Sequence, residues 1–196
     1  YTNSNSNDVS GNHGGFDYWV VKLTTNGVLE WQKTLGGSGD DRAYNIIQSN
    51  DGNYVVAGQT FSNNGDVSGN HGNADSWIVK INPLGNIIWQ KTLGGTSYEE
   101  IRNFIQTNDN GYILAGGTSS NNGDVTGNNG AYDYWIVKIN SLGIIEWQKS
   151  LGGTDSEIAY SVKQTSDNGY IIGGKSSSNN GDVSGNHGGN DYWIVK

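Results

Sequence analysis

The stretch Asn64-Gly-Asp66-Val-Ser-Gly-Asn-His-Gly72 returns along this chain at a constant spacing. Its core, Asp-Val-Ser/Thr-Gly-Asn, starts at Asp8, Asp66, Asp124 and Asp182, and each start lies 58 residues after the previous one. No insertion or deletion separates the copies, so the chain is a tandem array of one supersecondary unit. We place the repeats at residues 8–65, 66–123 and 124–181, with a partial copy at 182–196, in a single array spanning 1–196.

Apolar residues within a repeat follow the two-residue period of β-strands and never the period of a helix. In the first copy this pattern predicts strands at residues 19–23, 29–35, 43–49 and 54–60. Asn26-Gly27 and Gly36-Gly37 mark turns between them. A long polar loop from about Phe61 to Asp75 leads to the next copy.

Four-stranded antiparallel units of roughly 40–60 residues are typical of β-propeller blades. We therefore predict an all-β, β-propeller-like array of four-stranded antiparallel blades. The order of strands is similar to that of kelch-type blades, with the strand at Ala43 innermost and the strand at Trp31 outermost. Thirteen strands make about three and a quarter blades, whereas a closed ring usually needs 4–8. The array could belong to a larger ring, pair with another copy of itself, or stack as an open solenoid.

Composition excludes several classes of function. The net charge of −8 leaves no basic surface for nucleic acid. No apolar run is long enough to insert into a membrane, and the absence of cysteine excludes disulfides and thiol chemistry. The chain has no Met to start it, and we interpret it as an excerpt of a longer protein.

The recurring loop has the ligand spacing of an EF-hand-type calcium loop, with oxygen-bearing side chains at positions 1, 3, 5 and 12 and Gly at position 6. Position 7 adds a backbone carbonyl. The alternative is a metal-free loop in which the same side chains cap their own backbone. The candidate Ca²⁺ ligands are Ser6, Asp8, Ser10, Asn12, Asp17, Asn64, Asp66, Ser68, Asn70, Asp75, Asn122, Asp124, Thr126, Asn128, Asp133, Asn180, Asp182, Ser184, Asn186 and Asp191.

Three further sets of residues recur in fixed slots, and we predict a structural role for each. The loop histidines should face solvent, since zinc needs several nitrogen ligands close together. The acids that follow the Gly-Gly pairs should cap turns, and the tryptophans of the second strand should pack between blades. These sets are His13, His71 and His187; Asp41, Glu99 and Glu157; and Trp31, Trp89 and Trp147.

The phrases Asp-Tyr-Trp-Ile-Val-Lys, Trp-Gln-Lys-Thr-Leu-Gly-Gly and Asp-Asn-Gly-Tyr-Ile-Ile-Gly-Gly recur with the loop. Together they resemble propeller-like repeats of large secreted or surface proteins, chiefly from Bacteroidetes, many of which are cargo of type IX secretion. The resemblance covers essentially the whole chain. It implies an extracellular domain used in adhesion or in a surface fibre, and it implies no common enzymatic activity.

We therefore expect a non-enzymatic structural or adhesive module at the cell surface, whose partners are neighbouring repeats or copies of itself. The alternative is a lectin-like module that binds surface glycans through one variable slot, which holds Phe16, Ala74, Tyr132 and Asn190. An enzyme would need a reactive residue in a single copy beside a suitable partner, and the sequence offers none.

Overall fold

Thirteen antiparallel strands make up the regular structure, in the number and order that the sequence predicts. The structure is a computed structural model, describes residues 1–196 and contains no helix. With no helix of any length, the chain has none that could cross a membrane. The strands are β1 Tyr18–Leu23, β2 Leu29–Leu35, β3 Asp41–Gln48, β4 Tyr54–Thr60, β5 Asp75–Ile81, β6 Ile87–Leu93, β7 Glu99–Gln106, β8 Tyr112–Thr118, β9 Asp133–Ile139, β10 Ile145–Leu151, β11 Glu157–Gln164, β12 Tyr170–Ser176 and β13 Asp191–Val195.

The strands form four separate sheets. Two are complete, with the orders β3-β4-β5-β6 and β7-β8-β9-β10, while β1-β2 has two strands and β11-β12-β13 has three. The predicted antiparallel four-stranded units are thus confirmed, with β3 at one edge and the tryptophan-bearing β6 at the other. The long polar loop joins β4 to β5 within one sheet, and the Gly-Gly segment carries the chain from one sheet to the next.

The first strand of each complete sheet starts two residues earlier than the apolar pattern predicts, at Asp41 and not at Ala43. Asp41 and Arg42 pair with Thr60 and Gln59 of β4, which extends the ladder, and the Asp41 backbone N–H donates to the Phe16 carbonyl of the preceding segment. A bulge follows, because Ala43 pairs with Gly58 and Asn45 pairs with Ala57. The extra residue, Tyr44, increases the local twist of the strand.

Hydrophobic cores lie between successive sheets. One cluster joins Val55 and Ile78 of the second sheet to Phe104, Leu114 and Trp135 of the third. Equivalent clusters lie on either side of it. A single sheet cannot bury its own apolar face, so each repeat depends on its neighbour for stability.

Buried tyrosines tie neighbouring sheets together with a polar bond. Tyr18 is fully buried, and its hydroxyl donates to the Trp77 carbonyl at 2.9 Å. Tyr134 makes the same bond to the Trp193 carbonyl, also at 2.9 Å. The bond satisfies a hydroxyl that burial would otherwise leave without a partner.

Trp31 packs between units, as the sequence predicts. Its Nε1 donates to the Pro83 carbonyl of the next sheet at 3.0 Å, and its ring meets Tyr54 edge-on with centroids 6.4 Å apart. Trp147 also contacts the following sheet, where its ring is tilted by 51° to that of Tyr170 with centroids 5.8 Å apart.

Gly116 faces the bulge of β7 so closely that a methyl group would overlap backbone. A Cβ built there lies 1.8 Å from the Glu100 carbonyl oxygen, whereas a Cβ at Gly173 in β12 meets nothing within 4 Å. We expect Gly116→Ala to lower the free energy of unfolding by about 1–3 kcal/mol or more, because the strand must move. Gly173→Ala, which installs the alanine of the other copies, is the control and should leave stability unchanged or slightly higher. Urea unfolding measures both, and equal midpoints would contradict this account of the bulge.

Candidate functional site

Two polar segments meet wherever one sheet passes to the next. We call residues 61–74, 119–132 and 177–190 the Asp/Asn loops; each leads from the second strand of a sheet to the third. We call residues 36–40, 94–98 and 152–156 the Gly-Gly links; each carries the chain into the sheet that holds the loop. Every Asp/Asn loop lies against the Gly-Gly link that enters its own sheet.

Backbone and side-chain bonds pair the loop with the link. Asp66 N–H donates to the Gly36 carbonyl at 2.9 Å, and Gly36 N–H donates back to Asp66 Oδ2 at 3.2 Å. Ser38 N–H donates to Asn64 Oδ1 at 2.8 Å. The same three bonds recur in the next two copies, where Asp124 and Asn122, then Asp182 and Asn180, are the acceptors.

Other candidate ligands bond to different parts of the same sheet. Ser68 Oγ lies 2.6 Å from Gln90 Nε2, and Gln90 Oε1 accepts from Trp77 Nε1 at 2.8 Å. Asn70 folds over its own loop, accepting from Gly72 N–H at 2.9 Å. Thr126 and Asn128 repeat these contacts in the third copy, and Ser10 and Asn12 repeat them in part in the first. In the last copy, Asn186 accepts from Gly188 N–H in the same way. Ser184 has no glutamine partner there, because the last sheet has no fourth strand.

The terminal aspartates of the loops bond back to the histidine slot. Asp75 Oδ2 accepts from the His71 backbone N–H at 3.0 Å and lies 2.6 Å from His71 Nδ1. Asp17 and Asp191 bond in the same way to His13 and His187, at 2.8 and 3.0 Å from the ring. These ring contacts were missed by the sequence analysis, although a His four residues before an Asp in three copies was a usable signal. Their imidazoles are still partly exposed.

Many of the candidate calcium ligands thus accept hydrogen bonds from backbone N–H groups of the link or of their own loop. No three acidic, histidine or cysteine side chains lie close enough together to hold a metal ion. The contacts of Asn70 with Gly72 and of Asp75 with His71 are of the kind that the self-capped alternative predicts. Calcium binding stays a prediction of the sequence.

The buried acids of successive sheets converge on the first glycine of each link. Asp75 at the start of β5 and Glu99 at the start of β7 are both fully buried. A Cβ at Gly94 would lie 2.6 Å from Glu99 Oε2 and 2.8 Å from Asp75 Oδ1, so only glycine fits between them. Gly36 separates Asp17 from Asp41, and Gly152 separates Asp133 from Glu157, in the same way.

In each pair, both carboxyl oxygens of one acid accept hydrogen bonds, whereas one carboxyl oxygen of the other acid accepts none. Glu99 accepts from Gly95 N–H and from the Thr118 hydroxyl, at 2.8 and 2.7 Å, so the predicted turn-capping role is confirmed. Asp75 Oδ1 has no hydrogen-bond partner, and neither do Asp17 Oδ1 and Asp133 Oδ1. A buried carboxylate oxygen without a donor disfavours the charged form.

The electrostatics follow from this arrangement. Burial is the main cause that raises the pKa of Asp75 above its ordinary value, the charge of Glu99 adds to it, and the bonds from His71 oppose it. At Asp133 the slot of the histidine holds Asn129, and burial together with Glu157 and Asp182 raises the pKa to about 6. Both acids of the pair are closed to solvent, and the raised pKa favours a proton on Asp133 only below about pH 6.

The residues of the variable slot, through which the lectin-like alternative would bind glycans, differ from one another in solvent exposure. Ala74 is fully buried, while Asn190 is exposed. Tyr132 is half-buried with its ring against Gly117, where a Cβ would lie 2.1 Å from Cε1. Nearby, the Arg102 guanidinium stacks on the ring of Tyr44 at 4.5 Å and pairs with Glu100 at 2.7 Å.

Comparison of the chain with known proteins identifies no family for it. No protein-family model matches the chain, and no curated protein matches it.

The raised pKa of Asp133 predicts a pH-dependent stability. Between an unfolded value near 4 and the folded value of about 6, the folded state holds more protons, so the free energy of unfolding falls as pH rises. We expect Asp133→Asn to remove about 2 kcal/mol of this fall, because its amide can replace the protonated acid. Urea unfolding at pH 4 to 8 measures it. An identical slope in both proteins would contradict the assignment.

The missing histidine offers a second measurement at the same carboxyl. Asn129→His restores the residue found in the other copies, and we expect it to lower the pKa of Asp133 toward that of an ordinary aspartate, since the imidazole can donate to Oδ2. Titration of the Asp133 carboxyl carbon by NMR reads this directly. Asn129→Gln, which adds bulk without an imidazole, is the control and should leave the pKa near 6.

Proposed function

We propose that this chain is a non-enzymatic structural or adhesive module of the cell surface, in which the Asp/Asn loops hold successive sheets in a fixed arrangement. The observation that supports this most strongly is the repeated bonding of loop to link. In all three pairs, an aspartate and an asparagine accept from the link that enters their sheet. The recurring polar residues are therefore used to build the array.

A β-propeller-like arrangement of the sheets belongs to this proposal. Its support is the way successive sheets meet: β7 packs against β3, β4 and β5, and β11 packs against β7, β8 and β9. The first strands β3, β7 and β11 thus follow one another along one side of the array, as the innermost strands of propeller blades do.

Extracellular location and the absence of catalysis are further parts of the proposal. The resemblance to surface-protein repeats supports the location. The acids that could serve general acid–base chemistry recur in three pairs and are fully buried, which supports a structural role over catalysis. In this role the array presents a stiff surface to neighbouring repeats, to other copies or to glycans.

Calcium remains in the proposal as a weak ligand of the loops. Two carboxylates in each loop correspond to affinities of roughly 10⁻⁴–10⁻³ M in extracellular modules. Calcium would compete with backbone N–H groups for Asn64 Oδ1, Asp66 Oδ2 and Asp75 Oδ2, which now accept hydrogen bonds, whereas Asp75 Oδ1 has no donor to lose.

The loop aspartates provide the test of the structural role. We expect the triple variant Asp66→Ala, Asp124→Ala, Asp182→Ala to unfold at a lower temperature, because each change leaves a link N–H without its charged acceptor at a cost of about 1–3 kcal/mol. Asp8→Ala is the control, since Asp8 occupies the same slot but accepts no hydrogen bond. Equal melting temperatures for the two variants would remove the proposed role.

The same melting measurement, made in millimolar calcium and in a chelator, tests the metal. A rise in the melting temperature of the wild type with calcium, absent in the triple variant, supports calcium binding by the loops. An unchanged melting curve removes calcium from the proposal and leaves the structural role intact.

A lectin-like function is the second candidate, favoured by the stacked Arg102 and Tyr44 beside the half-buried Tyr132. Aromatic rings and arginine on one surface suit the binding of sugars. We expect binding on a glycan array to be lost in Tyr132→Ala and kept in Tyr98→Ala, an aromatic deletion in another slot. A blank array for the wild type would exclude this candidate.

A further inference from the structure

Exposed aliphatic side chains mark the turns that lead to the last strand of each sheet. We call residues 82–86, between β5 and β6, and residues 140–144, between β9 and β10, the outer turns. Leu84 is 70% exposed and Ile88, just after its turn, is 50% exposed. Leu142 and Ile144 of the other turn are 64% and 54% exposed. Leu84 keeps this exposure although apolar clusters join its sheet to a neighbour on each side.

Each leucine is held in solvent by a rigid turn. Asn82 Oδ1 accepts from the backbone N–H of Leu84 at 2.9 Å and from that of Asn86 at 3.0 Å. Asn140 makes the same two bonds in the other outer turn. An aliphatic side chain that recurs in one slot of a fixed turn and has no place in the core indicates a contact surface.

An unpaired lysine lies against each outer turn. A Cβ built at Gly85 lies 2.8 Å from Lys33 Cγ, and one built at Gly143 lies 2.9 Å from Lys91 Cγ, so both lysine stems run along the turn of the following sheet. Neither lysine forms an ion pair. An apolar stem with a free ammonium group suits a boundary between an apolar and a charged medium.

The carboxylates at this end of the complete sheets are already paired. Asp51 lies 2.7 Å from the ammonium group of Lys80. Asp109 and Glu146 share Lys138, at 2.9 and 2.8 Å. The two unpaired lysines outweigh the single carboxylate in excess, so this end has a small net positive charge in a chain whose net charge is −8.

The acids of the Asp/Asn loops lie at the opposite end of the strands. Strand β5 begins after one of these loops and ends at an outer turn. Its seven residues span about 23 Å, whereas salt screens exposed charges beyond about 8 Å at physiological ionic strength. The loop acids therefore do not cancel the attraction of an anionic partner to the outer turns.

We propose that the outer turns dock the array on the surface of an anionic lipid bilayer. Leu84 and Leu142 would enter the boundary between headgroups and acyl chains, and the ammonium groups of Lys33 and Lys91 would meet anionic headgroups. Attachment of this kind uses single side chains at the membrane–water interface and requires no membrane-spanning segment.

A lipid surface suits these residues better than a second copy of the chain does. The Asp/Asn loops of another copy would offer polar and acidic groups, but their valines are buried and no large aliphatic side chain in them is exposed. Contact between the outer turns of two copies would bring unpaired lysines together. A bilayer offers apolar chains and negative charge over a continuous area, so the spacing of the turns needs no matching partner.

Sedimentation with vesicles tests the docking. The 196-residue chain is mixed in a chelator with vesicles of equal parts phosphatidylcholine and phosphatidylglycerol, and separately with vesicles of phosphatidylcholine alone. We expect the wild type to sediment mainly with the anionic vesicles, and added salt to weaken this binding. The double variant Leu84→Asn, Leu142→Asn installs the residue that the first copy has at Asn26. It should bind about tenfold more weakly or less, because two aliphatic side chains no longer enter the bilayer.

Two control variants change the opposite end of the strands. Phe61→Ser removes an exposed apolar side chain and installs the residue found at Ser119 and Ser177, and it should bind like the wild type. Lys33→Gln with Lys91→Gln should weaken binding to the anionic vesicles by about fivefold for each lysine. Lys175→Gln, the same change near the loop end of β12, should not weaken it.

Several results would overturn the docking. A wild type that stays in solution with the anionic vesicles is one, and a leucine variant that binds like the wild type is another. Equal losses in the leucine variant and in Phe61→Ser would also overturn it. Self-association of the wild type without vesicles, lost in the leucine variant, would assign the outer turns to contacts between copies and overturn the lipid as their partner.

This inference goes beyond the proposed function, because the outer turns form none of the bonds between loop and link. Circular dichroism melting should give the leucine variant the stability of the wild type, since both side chains are exposed. A chain that fails to bind vesicles but loses stability on changing Asp66, Asp124 and Asp182 would leave the proposed function standing without this inference.

Discussion

The contact between the Asp/Asn loop and the Gly-Gly link is the constraint on which the rest of the array depends. This contact fixes where the first strand of each sheet starts relative to the strands that flank the loop. In the second sheet, Asp66 accepts a hydrogen bond from Gly36 N–H and Asn64 accepts one from Ser38 N–H. The cysteine-free chain has no covalent alternative for this task. Polar bonds at the junction set the geometry, and the apolar clusters between sheets supply the stabilisation.

These two contributions are coupled through the strands that border each junction. Tyr18 lies in the apolar interface and carries its polar bond to the Trp77 carbonyl, while Asp17 beside it lies at the link. Gln90 connects the ring of Trp77 to Ser68 of the loop. A displacement of the loop would therefore reach the core, and the array should respond as a unit over neighbouring repeats.

Burial of the acid pairs costs free energy, because the carboxyl groups lose their contact with water. Glu99 recovers its desolvation cost through bonds from Gly95 and Thr118, but Asp75 keeps one oxygen without a donor. Burial raises the pKa of Asp75 and raises that of Asp133 to about 6, so a proton can occupy such a site in mild acid. A proton taken up by Asp133 on folding adds stability in mild acid, and this contribution is lost as pH rises through about 6.

The sequence by itself determined the repeat, the strands and their order. The period of 58 and the two-residue alternation fix local structure, because strand direction and turn chemistry depend on near neighbours. Tertiary structure alone decided where Asn64, Asp66 and Asp75 direct their oxygens, because their partners lie in the link or across the loop. It also decided that Asp75 meets Glu99, 24 positions later in the chain. These two acids belong to successive sheets, and their contact depends on how the sheets pack, which no local pattern records.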